Sequence, residues 1–279
     1  MDKDKLTEQP HPTLDVAVCT MGNGIERFAA TNPPACQGVR WVVSWQKSQS
    51  LDVPATLADR PDVAIYRTDS TGLSANRNAA AAHCTADIVL IADDDIIYTA
   101  DSLTDIRRAF ARRTEMDIAT FRIAYPDKDC YPRQACRLGY PLPKGYYLTS
   151  PELAMRGHIA RKYRFNTLLG IGAGDLHGGE EEIFLHTAIQ AGVPAWFLPL
   201  TIGTHPGATT GTKARLSAAN VRAMGCVIAI VTPWTSPLRI PIKAWRISRA
   251  GQMALFPALF HLLRGALRAA AVLANNTKL

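Results

Sequence analysis

Three consecutive carboxylates, Asp93, Asp94 and Asp95, stand at the end of an apolar run, Ile88–Ala92. Adjacent acids repel one another and are costly to desolvate unpaired, so a buried strand that ends in them calls for compensation. A divalent cation supplies it, and alternate residues of an extended segment bring Asp93 and Asp95 within reach of one ion or its waters. Oxygen ligands select Mg²⁺ or Mn²⁺ over a soft metal. Ligand crevices in open α/β sheets form at the carboxyl ends of strands, which favours this reading over a solvated acidic turn or a helix N-cap. Upstream, Gly72 suits a tight turn into a helix carrying Arg77 and Asn78. A helix start with a guanidinium nearby suits a diphosphate or base contact.

These groups need a frame, and the first two-thirds of the chain supply one. Strands are expected at Leu14–Cys19, Val39–Trp45, Val63–Tyr66, Ile88–Ala92, Ile118–Ile123 and Val193–Leu198. Helices are expected near Leu51–Asp59, from Leu73 to about Ala86, over Ser102–Arg113 and over Glu180–Ala191. The early strands are nearly continuous apolar runs, as when helices cover both faces of a parallel sheet. The alternation predicts an α/β fold with a mainly parallel central sheet. Between Tyr125 and Tyr147 prolines and glycines break regular structure while tyrosines recur. So long a connection in a compact domain reads as a binding loop.

Length and composition set the limits. The 279 residues, 47% hydrophobic and 20% charged, are globular material and allow one large domain with an appended element. The six cysteines are dispersed without a CxxC pair, which argues against a zinc site or a disulfide scaffold. Residues 1–13 lack an apolar core and read as a disordered tail rather than a signal peptide, consistent with a cytoplasmic setting. The net charge of +7 hides an asymmetry, for Glu182 is the last acidic residue and ten Lys or Arg follow it. A one-signed half points to an anionic partner.

The predicted catalytic domain covers residues 14–232, and residues 233–279 form a basic amphipathic extension. Arg239, Lys243, Arg246 and Arg249 fall on one stripe of a helical wheel. Pro257 is expected to break the helix before a second segment, Ala258–Ala274, with His261, Arg264 and Arg268 on one side. The longest uncharged stretch, Ala250–Leu263, is shorter than the roughly 20 apolar residues of a span. Basic amphipathic helices with Trp and Phe suit an in-plane anchor on an anionic membrane surface; the plain alternative is a helix pair packed on the domain. Nucleic acid is not the expected partner, because no aromatic platform accompanies the basic groups.

The run GLSANRNAAAA…ADIVLIADDDIIY, from Gly72 to Tyr98, resembles the donor-site core of family 2 glycosyltransferases, which have the GT-A fold. There a G-x-S-x-x-RN helix leads into a strand ending in a DxD metal motif. Downstream, GGEEEIFLHTAIQAG resembles the family's GGED-x-x-F motif, with Glu180 on its Glu and Glu181 on its Asp. THPGATTG resembles the HP-x-x-x-(S/T)TG segment of many bacterial members, which implies His205 near the metal or diphosphate. Two departures stand out. The usual Asp-Asp-Gly-Ser turn after the second strand reads Trp45-Gln46-Lys47-Ser48, where Gln46 could hydrogen-bond a uracil, and Glu181 replaces an Asp.

The resemblance implies an inverting transfer of a sugar from a nucleotide-diphospho sugar to a hydroxyl of a glycan or lipid-linked acceptor. Thr20, Gln46, Gly72, Arg77, Asp93 and Asp94 would hold the donor, and Asp93, Asp95 and His205 the Mn²⁺ or Mg²⁺. Glu181, or Glu180 in second place, would take the acceptor proton as general base. A sugar nucleotidyltransferase is the competing enzyme, but its basic phosphate loop is absent from Thr20-Met21-Gly22-Asn23-Gly24. A non-catalytic membrane-bound protein that retains the fold is a competitor of another class, and donor hydrolysis discriminates it.

Overall fold

The apolar runs near the N-terminus become strands because alternate side chains feed two separate cores. The computed structural model describes residues 11–126, 130–207 and 215–276. The early elements are β1 (Leu14–Met21), α1 (Gly24–Ala30), β2 (Val39–Gln46), α2 (Ala55–Ala58), β3 (Val63–Thr68), α3 (Leu73–Ala82) and β4 (Ile88–Asp93). Val16, Val18, Trp41, Val43 and Leu90 face one side of the sheet with Phe28. Ala17, Cys19, Val42, Val89 and Ile91 face the other with Ala80. Burial on both faces is why these strands read as continuous apolar runs.

The chain continues through β5 (Ile97–Tyr98), α4 (Ala100–Arg112), β6 (Ile118–Ala124), β7 (Cys136–Arg137), β8 (Leu153–Arg156), α5 (Gly157–Lys162), α6 (Glu180–Gln190) and β9 (Ala195–Thr204). Sheet order is β3-β2-β1-β4-β8-β6-β9-β5, with β7 beside β9. The long strands pair in parallel, β3 with β2, β2 with β1, β1 with β4 and β6 with β9. The short strands β8, β5 and β7 pair antiparallel. The sheet is thus mixed but mostly parallel and flanked by helices, as the sequence indicates. The direction of winding reverses between β1 and β4, so their carboxyl ends open the crevice.

Several boundaries move. The α3 helix stops at Ala82, and β9 runs past Pro199 to Thr204 instead of ending at Leu198. Residues 11–13, expected to belong to the tail, are held on the domain: Thr13 donates to Asp87 through its backbone nitrogen and Oγ1 at 2.9 and 2.8 Å, and Arg107 donates to the carbonyls of His11 and Pro12. Residues 1–10 lie outside the described residues.

A helical layer closes the chain: α7 (Ala218–Val231), α8 (Ser236–Arg249), α9 (Leu255–Ala266) and α10 (Ala269–Asn276). Its first helix, α7, packs against α9 and against α6. A Cβ on Gly225 of α7 would lie 2.0 Å from the Leu262 carbonyl oxygen, and one on Gly265 of α9 would lie 1.8 Å from that of Arg222. The two backbones approach so closely that only glycine fits at both points. Pro257 does not break this layer; it sits in the first turn of α9, where proline is tolerated, and the interruption comes at residues 250–254. Contrary to the expectation from uncharged length, Leu255–Asn276 is long and apolar enough to cross a bilayer by length and composition.

Candidate active site

At the centre of the site lies a buried guanidinium. Arg77 on α3 is 2% exposed, and its Nη1 donates to Glu180 Oε1 at 2.5 Å. Its Nη2 donates to Asp93 Oδ1 at 3.0 Å. Burial opposes the charge, but the carboxylates of Asp93 and Glu180 more than offset it and keep the guanidinium ionised. One residue therefore ties the end of β4 to the start of α6. Arg77 faces carboxylates of its own chain, where the sequence suggests a diphosphate or a base.

The α3 helix is held by its own polar residues. Gly72 caps it at φ +91°, a conformation that disfavours side chains. Ser74 Oγ donates to the Leu169 carbonyl at 2.6 Å, and Asn78 exchanges hydrogen bonds with the Phe165 backbone. Gln46, at the end of β2, donates from Nε2 to Ser70 Oγ and to the Gly72 carbonyl.

Each of the three aspartates has its own partner. Asp94 is buried, accepting from Thr20 Oγ1 at 2.6 Å and from Arg27 at 2.9 to 3.2 Å. Burial raises its pKa, while the bonds from Thr20 and Arg27 oppose the rise. Thr20 and Asp94 thus hold each other, and Arg27, which sequence reasoning does not single out, completes the anchor. Asp93 keeps Oδ2 clear of Arg77, and Asp95 Oδ2 stands 3.4 Å from His205 Nε2. His205 Nδ1 lies 2.7 Å from the Gly207 carbonyl and 2.9 Å from its amide nitrogen. The ring thus has a local partner in either neutral tautomer. The remainder of the THPGATTG segment, from residue 208, lies outside the described residues.

A cleft of about 510 Å³ collects Arg77, Asp93, Glu180, Glu181 and His205 on its lining. Thr20, Gln46, Gly72 and Asp94 sit behind it at the strand and helix ends. The two glutamates divide. Glu180 is turned onto Arg77 and is 4% exposed, whereas Glu181 lines the cleft with no ion pair among the described residues. Burial, and then the charge of Glu180, raise the Glu181 pKa well above the ordinary 4.5, with Arg77 opposing. A carboxylate so placed is a stronger base than one in water. Glu182 is pushed up to about 7 by burial, with Lys243 of α8 opposing.

The other walls are less legible from sequence. Tyr125, Tyr147, Thr149 and Pro151 form one side, as the tyrosine-rich connection suggests. That connection is pinned, for Tyr131 and Tyr146 pack on Phe197 of β9. Ala223, Met224, Val227 and Ile228 of α7 form an apolar side, and Lys243 closes it.

The model of glycosyl transferase family 2 matches residues 49–184, the segment that holds the Arg77 helix, the aspartates and the first residues of α6. Over that segment, just under half of the chain, the sequence is that of a family 2 glycosyltransferase. Members of that family typically use a divalent metal. The fold of the chain is GT-A-like and is similar to that of S. aureus TarS. Residues 1–349 of TarS align with a TM-score of 0.58 at 14% identity, over 94% of this chain and 83% of that one. A crystal structure of the same TarS fragment in complex with UDP-GlcNAc aligns at 0.56 and 13% identity, with the same coverage. A longer TarS structure aligns at 0.52 and 15% identity, over 85% of this chain and 43% of that one. No curated protein matches the sequence significantly.

Proposed function

We propose that this glycosyltransferase moves a sugar, with inversion, from a UDP-sugar to a hydroxyl of a glycan or lipid-linked acceptor, in a metal-dependent reaction. The observation that carries this reading is the single cleft that joins Asp93 at the end of β4 to Glu181 and then to the apolar wall of α7. Glu181 takes the proton of the acceptor hydroxyl as the oxygen attacks the anomeric carbon. Glu180 and Arg77 hold the start of α6 against β4, so the base keeps its position relative to the donor. One base with direct displacement gives inversion.

The residues present fit a hard divalent ion. Asp93 and His205 line the cleft, and Asp95 Oδ2 stands 3.4 Å from His205 Nε2, so oxygen and imidazole donors are present there. Among the described residues no group of three or more His, Cys, Asp or Glu is placed to hold a metal ion by itself. That suits Mg²⁺ or Mn²⁺, which protein carboxylates hold jointly with substrate phosphates. When bound, the ion neutralises charge on the departing diphosphate. For the base, Gln46 Nε2 is committed to two acceptors, so Oε1 is the atom left to accept uracil N3–H.

An amphiphilic acceptor accounts for the far wall. The α8 helix contributes Lys243 to the cleft, while Leu238, Ile242 and Trp245 are exposed on its surface. The acceptor then approaches from a membrane on which this layer rests, and we place the enzyme at the cytoplasmic face. The test is hydrolysis of a nucleotide-sugar panel with Mn²⁺. UDP-sugars should be turned over, EDTA should abolish turnover, and Asp95→Ala should do the same with its unfolding midpoint unchanged. Full activity in EDTA overturns the metal assignment, and inactivity with every donor overturns the function.

A further inference from the structure

Glu152, which follows the tyrosine-rich connection, is fully buried, and a carboxylate kept there must be compensated. Thr149 Oγ1 donates to its Oε1 at 2.6 Å, Tyr131 OH to Oε1 at 2.8 Å and Tyr146 OH to Oε2 at 3.2 Å. The Thr149 hydroxyl carries one proton, and the carboxylate takes it. At 3.0 Å from Thr149 Oγ1, the Tyr125 hydroxyl must therefore be the donor in that contact. Its orientation is fixed by a group it does not touch.

Tyr125 in turn sets His205. The rings lie 5.2 Å apart at 33°, and the His205 amide donates to the Ala124 carbonyl at 2.9 Å. With the ring held on one face by Tyr125 and at Nδ1 by Gly207, Nε2 is aimed at Asp95. We propose that Glu152 is a positioning residue for glycosyl transfer, acting through Thr149 and Tyr125 to hold His205 opposite Asp95 at the donor end of the cleft. The proposal rests on the transferase reading above, and it explains why a charge is retained in a core that three aromatic rings could fill.

The test breaks the chain at separate links. Thr149→Val removes both hydrogen bonds of that hydroxyl and Tyr125→Phe only the one between them, each leaving the buried carboxylate, while Glu152→Gln removes its charge. All three should shift the His205 ring signals in ¹⁵N-imidazole spectra recorded at one pH, with that signal assigned by its loss in His205→Asn. All three should also lower kcat on the order of 10-fold or more while leaving the donor KM within about twofold, as for a misaligned site. Thr149→Ser should restore both. If Thr149→Val and Tyr125→Phe leave the His205 signals in place, Glu152 is a structural carboxylate and the proposal fails, even where Glu152→Gln lowers the unfolding midpoint. A wild-type protein without transfer activity would overturn the functional reading separately, since the spectra are read without substrate.

Discussion

Glu180 and Glu181 are adjacent, alike and opposite in task. Glu180 neutralises a buried guanidinium, so Glu180→Gln should destabilise the fold by about 3–5 kcal/mol, the cost of leaving one partner of a buried pair. Urea unfolding measures it. Glu181 has the reverse effect on stability. Its folded pKa lies above its unfolded value, so the folded state binds the proton more tightly, and the penalty for burying the charge appears as pH rises. Glu181→Gln should therefore raise the unfolding midpoint at pH 8 and leave it unchanged near pH 4, where both states are protonated. The same substitution should lower transfer by about 10²–10⁴-fold, as expected for a lost general base. In the wild type the acid limb of kcat/KM should fall above the ordinary glutamate value, because protonated Glu181 accepts nothing. If Glu180→Gln is inactive but stable while Glu181→Gln is active, the roles are exchanged. Sequence cannot separate the pair. Consecutive helical residues point about 100° apart, and which of them meets Arg77 depends on how α3 docks against α6.

Among elements, α3, β4 and α6 are visible from composition and punctuation alone, because each is bounded by glycines or a carboxylate run. The α7 helix is not. Its sequence, AANVRAMGCVIAIV, is apolar on nearly all sides, since Cys226 and Val227 pack towards Ile183 while Val221 packs towards α8 and α9. An element buried on several sides loses the 3.6-residue alternation that marks a surface helix. The short β8 escapes for another reason: with four residues it carries no measurable period, and pairing with β4 and β6 defines it. The α7–α9 crossing yields a direct prediction. Gly225→Ala and Gly265→Ala each force a methyl group into a facing carbonyl, so each should cost at least the 1–3 kcal/mol typical of overpacking. Urea unfolding should show it for both, while Gly139→Ala, whose added Cβ meets nothing within 4 Å, should be near neutral. Equal stability of all three variants would mean that the helices stand further apart.

At the scale of the whole molecule, charge and apolar surface are segregated together. The half without carboxylates ends in the helical layer, whose outer side exposes Trp234, Leu238, Trp245, Phe256, Phe260 and Leu267. Arg239, Arg246, Arg249 and Arg264 are exposed among them. The inner side is core: Ile240, Ala244, Ile247, Ala258 and Leu262 are buried with Val221 of α7. The proposed contact with a bilayer would use the outer faces of these helices, while their inner faces pack on the domain. Although Leu255–Asn276 has the length of a span, crossing a bilayer would strip α9 from its glycine-mediated seat on α7 and place Arg264 and Arg268 in hydrocarbon. Lying in the interface costs neither. Each arginine near an anionic surface contributes about 1 kcal/mol, reduced by salt, and the inserted aromatic and leucine side chains add roughly 25 cal/mol per Å² buried. Deleting the layer would open the α7 core, so the test uses surface substitutions. The variant Trp245→Ser/Phe256→Ser/Phe260→Ser should keep the wild-type unfolding midpoint and lose sedimentation with anionic liposomes. Arg246→Gln/Arg249→Gln/Arg264→Gln should weaken it most at low salt, and neutral liposomes should bind the wild type poorly. Sedimentation indifferent to lipid charge, salt and all six substitutions would leave this face as ordinary solvent-exposed surface, and the acceptor would then have to reach Glu181 from solution.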